Sequence, residues 1–133
     1  MHSSHNFKIE DLPIVMLGSF GHAGIDWTHS LLDNHEEILI MPAFSFFRTL
    51  DRVKKGNKIN LEKASYIEIA KVLSNTFLLD PAYQLKRRKF IENEEKRHEF
   101  ENSLLKYLEY SKENNLKKKI FFGIHYAFSE IYK

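Results

Sequence analysis

The sequence has no cysteine. A disulfide framework and a thiolate metal site are both excluded, and the absence fits a reducing compartment, so a cytoplasmic location is expected. No apolar stretch approaches the roughly 20 residues that a membrane-spanning helix needs. Residues 1–12 (MHSSHNFKIEDL) are polar and lack the apolar core of a signal peptide. Neither leader nor membrane span is therefore expected. No charge of one sign dominates either: 20 Lys and Arg stand against 18 Asp and Glu, a formal net charge of +2. That is too little to argue for a nucleic-acid partner. The chain also lacks internal repeats, low-complexity segments and an interdomain linker.

What is present is ordinary core material. The 133 residues are 43% hydrophobic and 29% charged, with eleven Phe, six Tyr and one Trp. This predicts a single soluble domain large enough to bury a core. His2 and His5 fall in the polar tail, and no metal site is expected.

The most distinctive stretch runs from Pro13 to Pro42, PIVMLGSFGHAGIDWTHSLLDNHEEILIMP. An apolar run, Ile14 to Leu17, enters a loop with Gly18, Gly21 and Gly24. A helical pattern follows from Ile25 to His35, with Trp27, Ser30 and Leu31 on one face, and then a second apolar run from Ile38 to Met41. Strand, glycine loop, helix and strand predict the P-loop-like start of an α/β fold. Unpaired backbone N–H groups and the helix dipole make such a loop an anion cradle, and glycines let the backbone approach the ligand. Gly-rich turns also serve as plain connections. The ATPase pattern needs a Lys and a hydroxyl after the last glycine, but Ile25 and Asp26 stand there.

These residues resemble the N-terminal segment of the sulfotransferase family. The match is clearest at Gly24-Ile25-Asp26 and at Ser30-Leu31-Leu32-Asp33-Asn34-His35. The resemblance implies that the loop, Gly21, His22, Ala23, Gly24, Ile25 and Asp26, holds the 5′ end of 3′-phosphoadenosine-5′-phosphosulfate (PAPS). It implies sulfuryl transfer to a hydroxyl or amine acceptor, with PAPS as co-substrate and no metal. The departures are specific. His22 stands at the family's arginine, Ala23 at its serine and Glu36 at its proline, and Pro42-Ala43-Phe44-Ser45 carries no carboxylate. Asp26 reads better as a helix-start acid than as a ligand contact. His22 is the loop side chain placed to meet an anion when protonated. No residue stands out as the catalytic base.

The remainder predicts helices. Residues 43–53 place Phe44, Phe47 and Leu50 three apart, widened by Phe46, with Gly56-Asn57 as the stop. Asn60 is the expected cap of a helix whose stripe is Tyr66, Ile67, Ala70, Leu73 and Phe77. Asp80-Pro81 marks a turn or a helix start. The basic run Lys86-Arg87-Arg88-Lys89 reads as a solvated face, with attraction of an anionic ligand as the alternative. Residues 93–114 form the longest helical pattern, through Phe100, Leu104, Tyr107 and Leu108. Residues 116–133 form another, through Ile120, Ile124, Phe128 and Ile131, with His125 beside the stripe as a structural histidine.

The expected organisation is one sulfotransferase-like α/β domain: a tail at 1–12, a nucleotide-binding start at 13–56 and a mostly helical region at 57–133. The family's second signature, an arginine and a serine for the 3′-phosphate, has no match after Val53. An incomplete domain, the N-terminal part only, is therefore expected. The alternative is a non-catalytic nucleotide- or anion-binding module, or a truncated remnant acting at most in protein interaction.

Overall fold

The computed structural model describes residues 9–15, 45–85 and 88–132. The chain divides into two compact units, Met1–Ile40 and Met41–Lys133. In the first unit, a single 3-10 turn spans Ile9–Asp11, closed by the Leu12 N–H donating to the Ile9 carbonyl at 3.3 Å. Ile14 and Val15 follow in irregular, exposed backbone.

The second unit begins with α1, Phe46–Asn57. Lys54 and Lys55 sit in its last turn, where cations offset the dipole. Lys58 ends it at φ 53°. Helix α2, Tyr66–Leu79, starts at a capping box: the Ser65 hydroxyl accepts from the Glu68 N–H, and the Glu68 carboxylate accepts from the Ser65 N–H at 2.8 Å. The bond from the Ser65 N–H is the main reason that the Glu68 carboxyl titrates below its ordinary range. Asp80 then accepts from the Ala82 N–H and starts a 3-10 turn at Pro81–Tyr83. A short antiparallel hairpin follows, β1 Gln84–Leu85 and β2 Arg88–Lys89, with Gln84 opposite Lys89. Gln84 pins it down, its amide donating to the Phe77 and Ile91 carbonyls at 2.8 and 3.0 Å.

Helices α3, Glu94–Tyr110, and α4, Leu116–Ile131, share a capping chemistry. Asn93 accepts from the Lys96 N–H and Asn115 from the Lys118 N–H. They run antiparallel: Lys96 donates to the Ile131 carbonyl at one end, and Leu104 and Tyr107 meet Gly123 midway. A Cβ at Gly123 would lie 2.7 Å from Leu104 Cδ1 and 3.0 Å from Tyr107 Cδ1. Glycine lets the two backbones approach this closely.

Phe77 lies at the centre of the core. Phe90 stacks on it at 4.9 Å, and Tyr83 and Phe100 meet it edge-on at 5.1 and 5.5 Å. Around them lie Leu50 and Val53 of α1, Ile69 and Leu73 of α2, Leu104 and Leu108 of α3, and Ile120, Ile124 and Phe128 of α4.

The α/β fold class is corrected by this structure, whose described residues are mostly helical. Ile14 and Val15, the described half of the expected first strand, are irregular and exposed, whereas a strand of a parallel sheet is buried on both faces. From residue 45 onward, the two-residue hairpin is the only extended pairing among the described residues. Nothing there can flank a parallel pair. The glycine loop, the Ile25–His35 helix and the Ile38–Met41 strand lie outside the described residues.

Smaller corrections concern helix starts and faces. Asn60 does not cap α2; its carboxamide accepts from the Glu62 N–H in a turn of its own, and Ser65 is the cap. Ile69 replaces Ile67 in the core stripe, and Ile67 is exposed. In α1 the inward face is Phe46, Thr49, Leu50 and Val53, while Phe47 is 74% exposed.

Candidate functional site

Gly21, His22, Ala23, Gly24, Ile25 and Asp26 all lie outside the described residues, as do His29 and His35. The described part offers four polar features, and their surroundings separate structural roles from available ones.

Arg97 of α3 is the centre of the first. Its side chain is 11% exposed. Its Nε donates to Glu94 at 2.6 Å, and its Nη1 donates to Glu101 and reaches Ser74 Oγ of α2. The bond that Arg97 donates to Glu94 leads the causes that hold the guanidinium above its ordinary pKa. Ser74 is fully buried, and its single proton has the Lys71 carbonyl and Glu101 as acceptors. Every group is satisfied internally, so the cluster ties α2 to α3.

Lys119 forms the second. It is buried, and its ammonium donates to the Tyr66 hydroxyl at 3.1 Å while sitting 5.1 Å from that ring's centroid. A hydrogen bond and a cation–π contact hold one charge between α4 and α2. His125 is the third. Its Nδ1–H donates to the Phe121 carbonyl at 2.8 Å, and burial pushes its pKa below the ordinary value. A neutral imidazole bonded to its own helix matches the structural role expected for it.

The fourth is an open groove of about 640 Å3 between α1 and the C-terminal end of α2. From α1 come Arg48, Asp51, Arg52 and Lys55; Asn75 and Asp80 are among those facing them. Arg52 Nη1 donates to both oxygens of Asp80 at 3.1 and 3.2 Å. Lys55 pairs with Asp51 at 2.9 Å. Arg48 has no ion pair among the described residues and is exposed. Asp80 also caps the 3-10 turn, so the acid that holds Arg52 is itself held.

No protein-family model, curated protein or solved structure matches this chain. Among the described residues, no cluster of three or more His, Asp or Glu side chains is arranged to hold a metal ion. No helix among them is long and apolar enough to cross a membrane. In the basic run at 86–89, Lys89 is exposed on β2.

The groove was not among the sites expected from sequence. Its signal was available: Arg48, Arg52 and Lys55 recur at i, i+4 and i+7 and share one face of α1. The aromatic stripe of the same helix drew the reading toward the core instead.

Proposed function

We propose that this chain handles a sulfonucleotide, binding PAPS through residues 21–26 and passing its sulfuryl group to a hydroxyl or amine acceptor. The single observation that carries this reading is the residue match at Gly24-Ile25-Asp26 followed by Ser30-Leu31-Leu32-Asp33-Asn34-His35. In that transfer the acceptor oxygen or nitrogen attacks sulfur. The bond from sulfur to the bridging phosphate oxygen breaks, the acceptor proton passes to a base, and the nucleotide leaves as its 3′,5′-bisphosphate. Backbone N–H groups of the glycine-bearing segment are the donors suited to the charge on the sulfate and on the leaving phosphate.

A second reading is favoured by particular residues. His22 and Ala23 stand where the family has arginine and serine, and no residue stands out as the catalytic base. Both favour binding of the nucleotide without turnover.

The test pairs a titration with a turnover assay. Titration with 3′-phosphoadenosine-5′-phosphate is expected to saturate. Transfer of labelled sulfate from PAPS to a panel of hydroxyl and amine acceptors then separates enzyme from binding module. No saturable nucleotide binding rejects both. His22→Ala is expected to weaken the nucleotide more at pH 6 than at pH 8, because an imidazole carries its charge only below about pH 6.5. An unchanged pH profile removes His22 from the site.

A further inference from the structure

We propose that the groove between α1 and α2 is a second, independent site, which takes a small phosphate or sulfate ester with a hydroxyl-bearing body. The argument begins with α1. Arg48, Arg52 and Lys55 line the groove at i, i+4 and i+7, so three cations share one helix face. Like charges at this spacing repel, and a helix carries such a row without cost only where anions answer it. Two answers are internal: Asp80 meets Arg52, and Asp51 meets Lys55. The third cation, Arg48, has no carboxylate among the described residues.

The internal pairs are weak enough to yield. The Arg52 and Asp80 side chains are 45% and 24% exposed, and those of Lys55 and Asp51 are 78% and 59% exposed. Exposed pairs contribute little, and the anionic oxygens of a phosphate or sulfate ester compete for the same guanidinium by accepting two parallel N–H bonds. Arg52 uses Nη1 alone on Asp80, leaving its other donors for a ligand.

The two carboxylates set the rest of the ligand. An inorganic anion gains the cations but also meets Asp51 and Asp80. A ligand with hydroxyls turns those acids into acceptors, and Asn75 on the facing helix adds a donor and an acceptor. The groove's volume of about 640 Å3 lies in the range of small-molecule sites. A sugar phosphate or a sulfated sugar meets all of these conditions.

The experiment is backbone-amide NMR of the full chain titrated with glucose 6-phosphate, glucose and inorganic phosphate. Saturable shifts in 48–57 and 75–80 with the ester, at least tenfold weaker with phosphate and with glucose, are expected. Arg48→Glu, at an exposed position, is expected to weaken the ester at least tenfold and to leave the spectrum otherwise native. Equal affinity for phosphate, insensitivity to Arg48→Glu, or no saturation at millimolar ester overturns the proposal. Because none of the readouts uses PAPS or residues 21–26, the result is independent of the sulfonucleotide reading.

Discussion

His125 shows how one side chain is assigned by its surroundings. A histidine beside an apolar helical stripe invites a catalytic role, but here the ring is buried and its Nδ1–H is committed to the Phe121 carbonyl. The consequence is a pH dependence of stability. Burial holds the folded-state pKa below the ordinary 6.5, so the unfolded chain binds this proton first as pH falls. Stability is therefore full above about pH 6.5 and is lost as pH drops from there toward the folded-state pKa. Asn offers an N–H near the position of Nδ1 but does not titrate. Urea unfolding of His125→Asn is expected to give a flatter stability profile between pH 7 and pH 5 than the parent chain. Parallel profiles would assign the proton uptake elsewhere. Thr49 makes a similar point without a charge. Its hydroxyl is buried 2.7 Å from that of Tyr83, and each group answers the other.

At the scale of elements, the helices were legible wherever apolar spacing and a cap agreed. Asn93 and Asn115 precede clear stripes, and both cap where the pattern begins. Ser65 and Glu68 spell a capping box three residues apart, yet Asn60 is also a good cap and lies just upstream. Local chemistry permits both starts, and α2 begins where the reciprocal pair closes. The face of α1 was misread for a different reason: Phe46 and Phe47 both extend an apolar stripe, and only packing against Phe121 selects Phe46. Gly123 weakens a helix by its own propensity, and sequence cannot show what crosses it. The crossing makes it a tight contact, because the nearest atoms are the end of the Leu104 side chain and a ring carbon of Tyr107. Gly123→Ala gains helix propensity but adds one carbon to which the buried Leu104 side chain must yield, and these offset, so it is expected to change stability by less than about 1 kcal/mol. Gly123→Leu overfills the crossing and is expected to cost about 1–3 kcal/mol. Thermal unfolding of the two variants checks the contrast; equal effects would mean that the helices separate freely there.

On the scale of the whole molecule, the fold class was the part of the sequence reading that failed, and the reason lies in the length of the signals. Ile14–Leu17 and Ile38–Met41 are four-residue apolar runs, a length at which periodicity does not distinguish strand from helix. Fold class then rested on the glycine pattern between them. The longer patterns from Tyr66 to Ile131 carry two or more helical turns each, and all became helices. Together with Leu50 and Val53 of α1 and with Leu61 they supply the described core: among the described residues, every member of the buried cluster lies between Leu50 and Ile131. That cluster has aromatic packing around Phe77, capped helices and no orphaned buried side-chain polar group among the described residues. A segment with its own core and its own caps meets the physical conditions for folding alone. A fragment comprising residues 41–133 is therefore expected to unfold cooperatively, with stability in the range of about 0.05–0.15 kcal/mol per residue. Its circular dichroism is expected to be helical, and near-ultraviolet signals from Tyr83 and the buried Phe residues are expected to vanish in the same transition. A broad transition with dye-binding apolar surface would show that the core between Leu50 and Ile131 is insufficient alone.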